Sequence, residues 1–166
     1  MGTRNRPNIT IEKPFLHNIL DIIGISALLL SIAYVVLNWS SIPEVVPHHF
    51  NAAGEPDRWG DKWTVFLLPS IGVLMWIGLS FLERIPDSYN YVVKITEGNA
   101  ERQYYYAVTM IRLLKNEIAI FFALLSQKIV EMSSTQETLE FWIVPVFLVI
   151  LFGTIIIYLV KSIRWR

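Results

Sequence analysis

The run ILDIIGISALLLSIAYVVL, Ile19 to Leu37, decides the fold class: it holds 19 residues and a single charge, Asp21. At 1.5 Å per residue a helix of that length covers about 28 Å, close to the ~30 Å hydrocarbon layer of a bilayer. Two further runs, the 18 residues Val65 to Leu82 and the 20 residues Phe141 to Val160, carry no charge at all. The 18 residues ahead of Ile19 make a long n-region. The run itself exceeds the usual signal h-region of about 7–15 residues, and NWSSIPE after it offers no A-x-A-like cleavage site. The first run therefore reads as a retained membrane helix.

Bulk composition agrees. Of 166 residues 54% are hydrophobic and 17% charged, and the mean hydropathy is +0.46, against roughly 25% charge in soluble domains. Lys plus Arg and Asp plus Glu number 14 each, so no basic field points to nucleic acid. There is no Cys, which excludes disulfides, thiolate metal sites and thiol nucleophiles.

A fourth segment, Ala107 to Val130, is less apolar because Arg112, Lys115 and Glu117 fall inside it. At 100° per residue Arg112, Lys115, Asn116, Ala119, Ala123, Ser126 and Gln127 share one arc of about 120°. A small and polar stripe on an otherwise apolar helix belongs against other helices, because charge in hydrocarbon costs several kcal/mol unless paired. The segment is accordingly expected to span, in preference to lying in the interface plane. Glu117, outside the stripe, fits this least well.

Basic residues give a sidedness. Arg4, Arg6, Lys13, Arg84, Lys94, Arg102, Lys161, Arg164 and Arg166 fall on one side, and Arg58, Lys62 and Lys128 on the other. By the positive-inside rule both termini are expected in the cytoplasm. Asp21 and Arg112 then lie at similar depth, so an ion pair of Asp21 with Arg112 or Lys115 is geometrically reasonable, with Asn116 on the same face; the alternative is that Asp21 reaches the headgroup region and Arg112 snorkels to phosphates.

The outer loop, residues 41–62, is SIPEVVPHHFNAAGEPDRWGDK. Pro43 and Pro47 disfavour helix before them, and Gly54, Asn51 and Asp57 read as turn chemistry. Adjacent side chains of an extended chain point to opposite faces, so of the two histidines His49 is the one placed to share a site with Asn51, Glu55 and Asp57. No second His or Cys stands at tetrahedral ligand spacing and no catalytic signature occurs. If any metal binds, His49 is the candidate; no cofactor is expected. In the inner loop YVVKI is β-like, Thr96 or Asn99 is placed to cap the third helix, and Tyr89, Tyr91 and Tyr104 to Tyr106 suggest an aromatic belt.

VPHHFNAAGEPDRWGDK resembles the signature of a small bacterial membrane domain of unknown function, which also forms the N-terminal part of SdpI-type immunity proteins. The pattern P-x-H-F-N-x-x-G-x-P-D, then G-x-K, is met at Pro47, His49, Phe50, Asn51, Gly54, Pro56, Asp57, Gly60 and Lys62. SYNYVVKITEGNAERQY is similar to the segment after the family's second helix, at Asn90, Lys94, Asn99 and Tyr104. The resemblance extends over about residues 20 to 125. It implies protection against a secreted peptide toxin outside and contact with a transcriptional repressor inside.

The resulting expectation is an all-α integral membrane protein, a four-transmembrane-helix bundle in one domain over residues 1–166. Helices are expected near 16–38, 64–83, 100–130 and 140–161, with ordered outer and inner loops. The lipid bilayer of a bacterial cell membrane is its first partner. Gly24, Ser26, Gly72, Gly78 and Gly153 are available for close helix contact. Its function is read as SdpI-like immunity or sensing through His49, Asn51, Gly54, Glu55, Asp57 and Lys62. An oligomeric transporter or channel using the third helix is the alternative, and a membrane metalloenzyme follows behind.

Overall fold

The first helix, α1 (Phe15–Leu37), starts directly after Pro14, whose extended backbone cannot continue a helix backwards. It ends where the Asn38 side chain donates to the Tyr34 carbonyl at 2.8 Å. In the computed structural model, which describes residues 6–135 and 138–166, four long helices surround one polar seam. They are α1, α2 (Leu67–Leu82), α3 (Ala100–Thr135) and α4 (Ile143–Arg164). Arg4, counted in the charge balance above, lies outside the described residues.

Three helical segments are long and apolar enough to cross a membrane: Phe15–Leu37, Lys62–Leu82 and Ile143–Arg164. The remaining one, α3, has 36 residues and is about 54 Å long. Its charges keep it below the apolarity of the other three. Instead it occupies the centre, and α1, α2 and α4 each pack against it. The predicted stripe is its inward face: Arg112, Lys115, Asn116, Ala119, Ala123 and Ser126 are buried, while Gln127 is half-buried. In α4 Tyr158 and Ser162 are buried, Phe147 and Thr154 are half-buried against α3, and most of the other side chains are exposed.

The expectation of an all-α chain needs correction. Between α1 and α2 two strands, β1 (Val45–Phe50) and β2 (Pro56–Asp61), form an antiparallel hairpin. Pro43 and Pro47 keep this segment extended, and a two-stranded sheet has open edges on which Pro47 needs no ladder donor. The register runs Val45↔Asp61, Val46↔Gly60, Pro47↔Trp59, His49↔Arg58 and Phe50↔Pro56, so His48 and Asp57 are each extra residues at bulges. These bulges cancel the simple two-face alternation assumed for His48 and His49.

Val46 anchors the hairpin in a buried cluster with Val35, Ile42, Val65, Ile129, Val130, Met132 and Leu139. At the other end of the bundle YVVKI is not a strand. Among the described residues no second strand lies beside it, and neighbouring carbonyls are taken by side chains: Tyr91 Oη donates to Pro86 O at 2.8 Å and Asn99 Nδ2 to Lys94 O at 3.0 Å. Of the small residues expected at helix contacts, Gly24 meets Asn116 and Gly72 meets Leu28, whereas Gly78 and Gly153 face open space.

Candidate functional site

Two places gather the chemistry-bearing residues. At the termini end, one turn after the buried His17, Asp21 projects from α1 toward α3. Its Oδ2 receives Lys115 Nζ at 3.0 Å and also Lys13, and its Oδ1 receives Asn116 Nδ2 at 2.8 Å. Lys115 Nζ also lies 2.5 Å from Glu83 Oε1, donates to Ser80 Oγ at 3.1 Å, and sits 4.6 Å from the centre of the Trp76 ring. Glu83 Oε2 takes Arg112 Nε at 3.1 Å, and Trp76 Nε1 donates to Asn116 Oδ1 at 3.2 Å. Gly24 makes this approach feasible, since a Cβ there would fall on the Asn116 amide.

Of the two pairings considered, Asp21 takes Lys115, and Arg112 goes to Glu83 instead. Glu83, Ser80, Trp76 and Lys13 were not among the expected site residues. Glu83 follows directly on an apolar run and reads as the first loop residue. The signal that would have found it is depth, since it ends α2 at the level where Arg112 enters α3. The side chains of Lys115, Arg112 and Glu83 are 1%, 5% and 9% exposed. Such groups are tolerated only when paired and hydrogen-bonded. A cavity of about 460 Å³, roofed by residues 8–11 and lined by Asp21, Ser80, Glu83, Arg84, Arg112 and Lys115, opens beside them.

The second place is the hairpin. Asn51 Oδ1 accepts the amides of Ala53 at 2.9 Å and Glu55 at 3.0 Å, while Asn51 Nδ2 donates to Glu55 Oε2 at 2.9 Å. Gly54 takes φ +83°, and its carbonyl accepts Leu139 N at 2.8 Å. A Cβ on Gly54 would collide with the Leu139 carbonyl, so both the sign of φ and the close approach require glycine here. His49 Nδ1 lies 2.5 Å from Asp57 Oδ1. Lys62 Nζ bonds Glu44 Oε1 at 2.7 Å and lies over Trp39.

Of the residues expected to bind a ligand, His49 pairs with Asp57 and Asn51 with Glu55, while Lys62 goes to Glu44 and Gly54 docks on Leu139. All of them are thus spent on the hairpin and its flanks. His49 and Asn51 do not share a site: one pairs with Asp57, the other with Glu55. Among the described residues no three His, Cys, Asp or Glu side chains converge as metal ligands do. What the hairpin encloses is a groove of about 530 Å³ between itself and the α3–α4 connection. Its walls include Phe50, Leu67, Leu125, Ile129 and Val144, and His48, His49, Asn51 and Glu140 stand among them.

The inner-loop residues also do structural work. Asn99 Oδ1 accepts Thr96 N at 2.8 Å and its backbone carbonyl starts α3. Lys94 contributes its carbonyl, and Asn90 is exposed. Tyr104 is 0% exposed, stacked on Tyr91 at 5.6 Å, with Tyr89 next in line and Arg6 over Tyr91. Tyr104, Tyr91 and Tyr89 thus form a packed stack, whereas Tyr105 is exposed. Burial raises the Tyr89 and Tyr91 phenols well above their ordinary range, and both remain neutral donors to backbone carbonyls.

A DUF1648 domain, a domain of unknown function, is found at residues 27–73. That span contains the second half of α1, the whole hairpin and the first turns of α2. An uncharacterized protein from Archaeoglobus fulgidus is 44% identical over 52 residues, which is 31% of this chain. The match covers 27% of that relative's length. No solved structure matches. The matched segment is therefore the part whose side chains are spent on the hairpin, while the partners of Asp21 on α3 lie outside it.

Proposed function

We propose that this chain is a small multi-pass protein of the bacterial cell membrane, with both termini cytoplasmic and α3 as a fourth span. In this reading it meets an extracellular membrane-active peptide at the hairpin and acts in SdpI-like immunity or sensing. The groove beneath the hairpin carries the proposal. An apolar cleft with polar groups among its walls suits an apolar side chain of an amphipathic peptide, and the hairpin is held rigid by its own hydrogen bonds. Binding there need not reorder the loop. The helix that lines the groove, α3, continues to the charge cluster, which gives a contiguous element from one end of the bundle to the other. A repressor or other protein would meet the termini end.

The test is survival of a sensitive bacterial host challenged with a panel of secreted membrane-active peptides. Expression of the chain is expected to protect against at least one of them. Gly54→Val, which lifts the hairpin from Leu139, is expected to remove that protection while the protein stays in the membrane. Absence of protection against every peptide, with the protein present in the membrane fraction, overturns the reading.

A second reading, an oligomeric transporter, is favoured by the cavity beside Asp21 and Lys115. The cluster charges are paired with one another, which suits a lock between helices better than a path for an ion. Flux into liposomes above that of protein-free vesicles would favour the transporter.

A further inference from the structure

Where the start of α3 meets the end of α4, exposed bases stand against aromatic rings. Arg102 on α3 lies over the Trp165 ring at 5.2 Å, and Lys161 on α4 lies over the Tyr106 ring of α3 at 5.6 Å. The two contacts cross the seam in opposite directions, one helical turn apart. Arg164 approaches the same Trp165 ring at 5.7 Å. Among the described residues none of these three bases forms an ion pair. Glu101, the neighbour of Arg102, is exposed and forms none either.

The end of α4 does not account for them. Cations near a helix C-terminus ordinarily meet its free carbonyls. Here Gln103 Nε2 donates to Ser162 O at 3.0 Å and to Trp165 O at 3.1 Å, and Trp165 N donates to Lys161 O at 3.1 Å. Ser162 Oγ donates back to Gln103 Oε1 at 2.6 Å. Gln103 and Ser162 are fully buried, so the seam is fixed from behind while its bases stay free. Alongside, α4 is apolar: Ile157, one turn before Lys161, is exposed, as are Val160 and Ile163. A soluble anion would meet the bases alone. A ligand with an anionic head and a hydrocarbon body would meet both, which is why basic pockets between membrane helices take lipid headgroups.

We propose that Arg102, Lys161 and Arg164, with the Trp165 and Tyr106 rings, form the headgroup site of an anionic phospholipid. Its phosphodiester bridges the Arg102 guanidinium and the Lys161 ammonium, about 6 Å apart along the seam. One acyl chain runs along Ile157, and the indole sits at headgroup level. The proposal rests on α4 as a membrane span and not on the peptide reading of the hairpin groove.

The experiment offers the full chain, in neutral detergent, equal amounts of dioleoylphosphatidylglycerol and dioleoylphosphatidylcholine, and counts retained lipid by native mass spectrometry. Retention of phosphatidylglycerol is expected to exceed that of phosphatidylcholine, whose choline adds a cation among three, by at least about tenfold. Arg102→Gln with Lys161→Gln is expected to abolish the preference. Arg102→Lys with Lys161→Arg, which keeps the charge, is expected to retain it. So is Lys94→Gln with Arg58→Gln, which removes the same charge elsewhere. Phosphatidylglycerol is also expected to raise the melting temperature, and sn-glycerol 3-phosphate at equal concentration is not. Equal retention of the two lipids overturns the proposal, as does an unchanged preference in Arg102→Gln with Lys161→Gln. Loss of the preference in either of the other two variants overturns it too. An equal thermal shift with sn-glycerol 3-phosphate would show a site for free phosphate and overturns the lipid assignment.

Discussion

At the scale of single residues, the structure separates groups that burial alone would treat alike. Tyr104 is fully buried, yet its hydroxyl has no hydrogen-bond partner. Removing that hydroxyl leaves nothing else unsatisfied. Tyr104→Phe is therefore expected to change stability by no more than about 0.5 kcal/mol, or to raise it, whereas Tyr104→Ala costs about 3–5 kcal/mol. Thermal melts in detergent distinguish the two. Lys115 is the opposite case, since it faces Asp21, Glu83 and Ser80. Lys115→Ala is expected to cost about 3–5 kcal/mol, because it takes the shared cation from two buried acids, and Asp21→Ala is expected to cost less, because Lys115 keeps Glu83. The double substitution should cost less than the sum, and strict additivity would contradict the pairing. Asp21, Lys115 and Asn116 were legible in the sequence because helical period and depth put them on facing stripes. Arg112's partner was not. Glu83 looks like loop, and which acid a long arginine reaches depends on how far α2 extends.

At the scale of elements, the sequence carries α3 more clearly than it carries the hairpin. The 3.6-residue period of α3 is strong because its small and polar residues recur for about four turns, and the buried face follows it from Arg112 to Ser126. The hairpin was legible as a turn at Asn51 to Asp57 but not as two strands. Pro47 and the adjacent histidines interrupt any alternation, and the two bulges that accommodate them have no local sequence signature. The roles of the motif residues also shifted. Asn51, Glu55, Asp57 and Lys62 carry the polar character of a ligand site, but polarity does not reveal whether a side chain is already bonded within its own loop. Gly54 tests this account of the hairpin. Gly54→Ala is expected to lose about 1–3 kcal/mol through its positive φ and its contact with Leu139. It should also expose the segment 51–56 to limited proteolysis that leaves the wild type intact. Unchanged cleavage would show that the docking onto Leu139 does not hold the turn. Asn51→Ala removes an acceptor of two backbone amides and should have a similar effect.

At the scale of the whole molecule, three apolar helices surround a fourth that carries the charges. The arrangement follows from the cost of charge in hydrocarbon: the least apolar helix is the one most completely covered by the others. The hairpin closes one end of this bundle on the α3–α4 connection, and residues 6–14 cover the charge cluster at the other. The hairpin end, with its groove, is proposed to face the outside of the cell. The chain contains no Cys, so single cysteines report sidedness without background. Ala53→Cys on the hairpin turn and Glu97→Cys before α3 both replace exposed residues. Labelling intact cells with a membrane-impermeant maleimide is expected to modify the cysteine at position 53 and to spare that at position 97 until the cells are opened. Labelling at 97 with protection at 53 would contradict the account.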